Sequence, residues 1–217
     1  YMLNCGLGTL ILPIAGILLV LKGESLCVTL AMLGIDEGFL SVLLTGACCL
    51  LASMNDMTAP SVSLEGKSIW LVQSLPVKTW DVLRAKLGMQ IWLTAPPIAL
   101  FSVCAAIVLQ PPLPLLLLLM VLPQLCVLLF ACFGLFLNLK RPNLNWTTEI
   151  TPIKQSLSVM LSIFGAWGYG ILIAAPYYFL PINAAVYLLI IAAVTALLDL
   201  LLLRWLKTKG AAIFQYL

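Results

Sequence analysis

The first group of residues that could do chemistry is the run Glu65-Gly66-Lys67-Ser68. It looks like the end of a phosphate-binding loop, in which backbone N–H groups and a lysine hold the phosphates of a nucleotide. The complete motif has a glycine five residues before the second glycine and a buried strand before the loop. Ser61 occupies that position, and a long apolar segment precedes it. We therefore do not expect this chain to bind a nucleotide.

Other catalytic side chains are scarce. The chain has no histidine, so it lacks the commonest general base and metal ligand. It contains no Gly-x-Ser-x-Gly or His-Glu-x-x-His motif, and its seven cysteines form no Cys-x-x-Cys pair. The acids outside the apolar segments are too scattered for a carboxylate pair: Asp56, Glu65, Asp81 and Glu149. We predict no enzymatic activity, no metal site and no cofactor bound by this chain.

The composition is that of a membrane protein. Of 217 residues, 63% are hydrophobic and 9% are charged, whereas soluble domains carry roughly 25% charged residues. A spanning helix needs about 20 mostly apolar residues. We predict an all-α, polytopic transmembrane domain with six spans, at residues 3–21, 38–54, 87–109, 113–137, 157–180 and 184–203.

The segment 26–38 between the first two spans is apolar but ends at Asp36 and Glu37. We interpret it as an interfacial or re-entrant piece. The alternative is one longer, tilted span that holds both carboxylates, at a high cost in free energy for two adjacent acids in lipid.

The distribution of Lys and Arg predicts the orientation. With six spans, Lys22 lies alone on one side, and the other ten basic residues lie on the opposite side. Cytoplasmic loops carry such an excess of positive charge. We therefore predict that both termini of this segment and the loops 55–86 and 138–156 are cytoplasmic.

The loop 55–86 is a more polar stretch between two long apolar segments, and part of it has the periodicity of a helix. Apolar residues recur at helical spacing over 64–75, with Ser63 as a candidate N-cap and Pro76 as the end. Thr79 could cap a second helix that continues into the third span. Two interpretations remain open: an amphipathic helix lying on the membrane surface, or a helix that docks a partner protein.

Two features inside the predicted spans could also carry function. Asp199 is an acid well within the last span, where an ionisable residue is a functional candidate unless it is hydrated or pairs with Arg204 nearby. The fifth span contains Gly165-Ala166-Trp167-Gly168-Tyr169-Gly170. Its small residues favour close helix packing; alternatively, Trp167 and Tyr169 line a dimer seam or a substrate path.

Two stretches of the chain resemble a known family. The run SVSLEGKSIWLVQSLPV (61–77), followed by LRAKL (83–87), is similar to permease subunits of bacterial ABC exporters of the ABC-2-type superfamily, in a branch common in Firmicutes. The run 138–161, NLKRPNLNWTTEITPIKQSLSVML, resembles the loop between the fourth and fifth spans in that branch. Together the two stretches cover under a quarter of the chain.

The resemblance implies a six-helix exporter half in the bacterial cytoplasmic (inner) membrane. Its partners would be a separate ABC ATPase subunit, which carries ATP and Mg, a second permease half or copy, and the lipid bilayer, but no nucleic acid. The loop 55–86 would hold the coupling helix that docks on the ATPase. When the contact positions of the family are transferred to this sequence, the docking residues are Glu65, Gly66, Lys67, Trp70, Ser74, Leu75 and Pro76.

Family members are typically longer, and this chain enters an apolar span soon after Tyr1. We therefore expect it to be the C-terminal half of such a permease. The connection between the last two spans is only Pro181-Ile182-Asn183, which argues against a large glycan as substrate.

The alternative function is an ion-coupled secondary carrier or channel that acts without an ATPase. It predicts inverted repeats and several polar groups near the middle of the membrane. We find no clear repeat in the sequence.

Overall fold

The computed structural model of the protein describes residues 7–32, 37–148, 150–154, 156–180 and 182–217. Every regular element in these ranges is a helix. Short 3₁₀ helices lie at Ser63–Ser68 and Pro176–Phe179, and a π-helical turn lies at Leu206–Gly210. The α-helices are α1 (Leu7–Met32), α2 (Glu37–Ser53), α3 (Ile69–Gln73), α4 (Thr79–Leu109), α5 (Leu113–Lys140), α6 (Ile150–Lys154), α7 (Leu157–Ala174), α8 (Ala184–Trp205) and α9 (Ala211–Gln215).

Four helical segments are long and apolar enough to cross a membrane. They are Thr79–Leu109, Leu113–Lys140, Ile150–Phe179 and Ala184–Gln215. The apolar helical stretches Gly8–Gly23 and Gly38–Ser53 are shorter, and the arrangement with six spans stays a prediction. Four such helices indicate a protein embedded in a membrane.

Helix α5 is the centre of the bundle. It packs against α2, α4, α7 and α8. Its side chains Leu122, Cys126 and Leu135 are fully buried, although the sequence of α5 is apolar on all sides. A helix that is apolar all round suits the interior of a helix bundle.

Helix α1 differs from the prediction. We expected the first span to end at residue 21, followed by a separate interfacial piece at 26–38. Instead, α1 continues without a break to Met32. Gly23 does not end the helix; it lies in close contact with α4, where an added Cβ would come within 2.4 Å of Val108 Cγ1. Residues 3–6 of the predicted span and Asp36 lie outside the described residues.

Small residues bring α2 and α7 together, as the sequence predicts for the fifth span. A Cβ on Gly46 would lie 3.0 Å from Ala174 Cβ, and one on Gly170 would lie 2.7 Å from Leu50. Close approach of helices through glycine is typical of membrane proteins. The interpretation of close helix packing is confirmed at Gly170.

The start of α4, the end of α5 and the tail after α8 meet at one end of the bundle. Their buried residues form one apolar cluster that includes Leu83, Leu139, Leu206 and Phe214. Lys140 Nζ lies 4.6 Å from the centroid of the Phe136 ring. We call this the basic end, because the following basic residues lie on these elements or directly next to them: Arg84, Lys86, Lys140, Arg141, Arg204, Lys207 and Lys209.

Candidate functional site

The segment that leaves α2 lies inside the protein. We call residues 55–63 the buried strap. Asn55, Thr58, Val62 and Ser63 are fully buried although three of them are polar. A buried chain segment without regular structure has backbone N–H and C=O groups that need partners. The helices around the strap supply them.

Helix α4 holds one side of the strap. Gln90 Oε1 accepts hydrogen bonds from the backbone N–H groups of Met57 (3.1 Å) and Thr58 (2.9 Å). Asn55 Nδ2 donates to Thr94 Oγ1, one helical turn further along α4. Gln90 is 1% exposed, so its amide serves the strap and not the solvent.

Helix α5 holds the other side, mainly through Asn138. Its Oδ1 accepts from the backbone N–H groups of Val62 (2.8 Å) and Ser63 (3.1 Å), and its Nδ2 donates to Ser63 Oγ (2.8 Å). Nδ2 also lies 3.2 Å from Ser158 Oγ at the start of α7. Asn138 therefore joins the strap, α5 and α7 through one buried side chain.

Gly134 allows the strap to approach α5. An added Cβ there would lie 2.7 Å from Thr58 Oγ1 and 2.8 Å from Asp56 Oδ1. Because there is no side chain at 134, Thr58 Oγ1 can donate to the carbonyl of Ala131 at 2.8 Å. Only glycine fits this contact without a shift of the strap.

The two stretches that carry the family resemblance meet beyond the strap. Trp146 Nε1 donates to the carbonyl of Ser63 at 2.6 Å, and the N–H of Asn143 donates to Ser63 Oγ at 2.9 Å. The Trp146 ring lies over Gly66, where a Cβ would come within 3.0 Å of it. Gly66 has φ 50° and ψ −133°, a conformation that is essentially restricted to glycine.

Asp56 is the buried acid of the strap. It is 6% exposed, and its Oδ1 accepts from the backbone N–H of Ala59 at 3.3 Å. Burial raises the pKa of the Asp56 carboxyl to about 7, against the opposing effects of the Ser162 hydroxyl and the Ala59 N–H. Between pH 4 and 7 the folded protein thus favours the protonated acid.

The next residues have the opposite character. We call residues 69–77, which comprise α3 and the turn after it, the exposed segment. Ile69 is buried at the basic end, but four apolar side chains are more than half exposed: Trp70 (63%), Leu71 (56%), Leu75 (52%) and Val77 (53%). Gln73 Nε2 holds the segment to the tail by donating to the carbonyl of Phe214 at 2.8 Å.

The structure divides the seven predicted docking residues. Lys67, Trp70, Ser74, Leu75 and Pro76 are exposed. Gly66 is buried, and Glu65 is half-buried and forms an ion pair with Lys86, which also donates to the carbonyl of Ser61 at 2.9 Å. Glu65 and Gly66 therefore contact the chain's own fold. Five residues remain at the surface.

The helix predicted over 64–75 is wrong in its first part. Residues Ser63–Ser68 form a 3₁₀ helix that is interrupted at Gly66, and the α-helix covers only Ile69–Gln73. Ser63 is not a side-chain cap, because its hydroxyl bonds to Asn138 and Asn143 instead. The predicted second helix is the first part of α4, which begins at Thr79 and continues without a break through the third predicted span. Its N-cap is Lys78 and not Thr79.

Of the candidates in the predicted spans, Tyr169 and Asp199 lie close enough to interact electrostatically, whereas Trp167 lies apart from them. Asp199 is 3% exposed, and within the described residues neither of its carboxylate oxygens has a hydrogen-bond partner. Arg204 is exposed, and the two residues form no ion pair. Tyr169 points inward and shares a hydrogen bond of 2.7 Å with Thr195, whereas Trp167 points outward and is 43% exposed.

Sequence reasoning missed Gln90 and Asn138. Each is an amide within a long, largely apolar helix, and an amide in such a helix is the signal that could have identified them. In lipid such a group is costly unless it is bonded. Within the described ranges, no three His, Cys, Asp or Glu side chains gather where a metal could bind.

Comparison with known proteins adds no relative: no protein-family model, curated protein or solved structure matches this chain.

Proposed function

We propose that this chain is the permease subunit of an ATP-driven ABC exporter in a bacterial cytoplasmic membrane, and that a separate ATPase subunit docks on the exposed segment. The proposal rests on the resemblance in residues 61–77 and 138–161. Sixty residues separate these stretches in the sequence, yet they bond to each other through Ser63, Asn143 and Trp146.

The observation that carries the proposal is the exposed segment itself. It presents Trp70, Leu71 and Leu75 at the basic end of the bundle. A buried aromatic surrounded by smaller apolar side chains is typical of the centre of a protein–protein interface. A short helix fixed at both ends can transmit a displacement of its partner.

The buried strap supplies the mechanical connection in this proposal. Closure of two ATPase subunits around ATP would move the exposed segment. The strap is bonded to α4 through Gln90, and to α5 and α7 through Asn138. A movement of the segment would therefore reach three helices at once and favour rigid-body motion of the bundle.

Co-purification tests the proposal. The intact permease is expressed with its candidate ATPase, and Trp70→Ala and Leu75→Asp are compared with the unchanged protein. We expect both variants to release the ATPase at unchanged permease abundance, because they remove contact surface without touching the strap. Tyr216→Ala is the matched control, since Tyr216 is 89% exposed on the tail at the same end.

Two results would refute docking on this segment. In the first, the ATPase stays bound to Trp70→Ala and to Leu75→Asp. In the second, Tyr216→Ala releases it to the same extent. Either would favour the interpretation that the segment lies on the membrane surface.

A second candidate function is an ion-coupled carrier or channel. Asp199 favours it, because both of its buried oxygens lack a partner within the described residues, and such acids mark ion or proton paths in membranes. Reconstituted protein separates the two functions. A carrier would transport with a proton or sodium gradient and no ATPase, and Asp199→Asn would abolish that transport.

A further inference from the structure

One face of α4 carries an unusual series of side chains at the basic end. Trp80, Arg84, Gly88 and Trp92 follow one another at intervals of four residues. Residues four apart lie on the same face of a helix. The series extends about 18 Å along the axis at 1.5 Å per residue. It therefore begins at the level of the basic residues and continues toward the middle of the bundle.

This face lines a cleft of about 280 Å³. Leu203 of α8 and Leu128 of α5 also line it. Gly88 adds no side chain to this lining, and a Cβ on this residue would meet no atom within 4 Å. Glycine in the interior of a helix is less favourable than alanine, so helix stability does not explain a glycine at this position.

The lining of the cleft changes along its length from a charged end to an apolar end. Its basic end holds Arg84, which is exposed and forms no ion pair with Asp81 one turn before it; the single ion pair among the described residues is Lys86–Glu65. Beyond Gly88 the lining is apolar, with Ile91 and Leu128. Trp80 lies at the basic end, where aromatic residues are common at the level of the lipid headgroups, and Trp92 lies at the apolar end.

We propose that the cleft binds one anionic phospholipid, with its phosphate at Arg84 and an acyl chain that lies along Gly88 toward Trp92. A guanidinium recognises phosphate through paired, charge-assisted hydrogen bonds. The apolar lining excludes water and suits an alkyl chain, so a free phosphate would use only the end of the site. This inference does not rest on the proposed transport function.

The charge requirement can be tested in detergent with brominated lipids, which quench tryptophan fluorescence on contact. Brominated phosphatidylglycerol is titrated against brominated phosphatidylcholine. One Arg near an anionic lipid contributes about 1 kcal/mol, or roughly fivefold in affinity. We expect phosphatidylglycerol to bind about fivefold more tightly, and Arg84→Gln to remove this preference. Arg141→Gln, the same change at an exposed residue of the basic end, should keep it.

The shape requirement has an equally close control. Gly88→Leu would add a side chain to the cleft. Its Cβ would meet no atom within 4 Å, and leucine has the better helix propensity, so the protein should fold. Gly168→Leu is the matched change, since a Cβ on Gly168 also meets nothing within 4 Å and Gly168 does not line the cleft. We expect quenching by phosphatidylglycerol to weaken at least fivefold in Gly88→Leu and to persist in Gly168→Leu.

Three results would overturn the proposal. One is equal binding of the two lipids. Another is an equal loss in Arg84→Gln and Arg141→Gln, which would indicate diffuse attraction to the basic end. The third is unchanged lipid quenching in Gly88→Leu. If that variant also changed from a dimer to a monomer, a second copy of the chain, and not a lipid, would occupy the cleft.

Discussion

The buried strap and the exposed segment are neighbours in sequence and opposites in character. The strap, residues 55–63, is rich in polar side chains and lies in the interior, whereas the exposed segment, residues 69–77, presents Trp70, Leu71, Leu75 and Val77 at the surface. In a water-soluble domain the opposite distribution is usual. The difference shows that one part of this loop is held by the fold, whereas the other presents apolar side chains at the surface.

The strap obtains its stability from specific hydrogen bonds. Its main partners are two amide side chains, Gln90 on α4 and Asn138 on α5, and each accepts from two consecutive backbone N–H groups. Loss of one partner would leave several buried groups unsatisfied. The exposed segment has few such bonds, so its substitution should affect binding and leave folding unchanged. This contrast leads to four predictions, ordered from the largest effect to the smallest.

Asn138→Leu should cause the largest loss of stability. The leucine is similar in size, but it leaves the N–H groups of Val62 and Ser63 without an acceptor. Each unsatisfied buried group costs about 1–3 kcal/mol, so we expect a loss of about 3 kcal/mol. The thermal unfolding midpoint in detergent, together with protease cleavage within 55–77, measures it.

Asn145→Leu is the control for this prediction. Asn145 is exposed and lies in the loop after α5, so the change should shift the midpoint little. Equal midpoints for Asn138→Leu and the unchanged protein would show that the strap is not held by this side chain.

Gly66→Ala should have the second largest effect. At φ 50° and ψ −133° alanine is strained, and its Cβ would come within 3.0 Å of the Trp146 ring. Strain of this kind costs about 1–3 kcal/mol. The loss should appear as a lower midpoint and as altered Trp146 fluorescence. Gly168→Ala, in a regular helix with open space around it, should stabilise the protein slightly.

Asp56→Asn tests how the burial of Asp56 in the strap makes the stability of the protein depend on pH. The pKa of Asp56 is about 7 in the folded protein, above the ordinary value of 3.8. The folded state therefore binds the proton more tightly, and the stability from this group is present at low pH and lost as pH rises through 7. Between pH 6 and 7.5 we expect a loss of about 1 kcal/mol in the unchanged protein, and a flatter profile in Asp56→Asn. Identical profiles would contradict the assignment.

The sequence predicts the helical class well, because long apolar segments allow few other structures in a membrane. It also predicts that the helix in the loop ends near Pro76, and that one continuous helix runs from Thr79 through the third predicted span. It does not predict the strap. The pattern at 55–63 is that of a solvent-exposed loop, and its burial depends on Gln90, Gly134 and Asn138, which lie between 27 and 83 residues further along the chain. Hydrogen bonds between residues far apart in the sequence produce no local periodicity from which the burial of the strap could be predicted.

The same limit explains the misplaced helix start. The apolar spacing over 64–75 is helical, but Gly66 takes a conformation fixed by Trp146, which lies 80 residues away in sequence. Trp70 and Leu75 are exposed and lie in the short regular helix and the turn after it. The resemblance, and not the apolar spacing, named these two residues as contact residues.

Trp70→Ala should have the smallest effect on folding. Its side chain is 63% exposed, and it lies outside the strap network. Surface substitutions of this type change stability by about 0.5 kcal/mol or less, so the thermal midpoint should stay close to that of the unchanged protein. Binding of the ATPase should nevertheless be lost if the proposed docking is correct. A large drop in the midpoint would instead mean that Trp70 supports the fold, and the division of the loop into a held part and a contacting part would have to be abandoned.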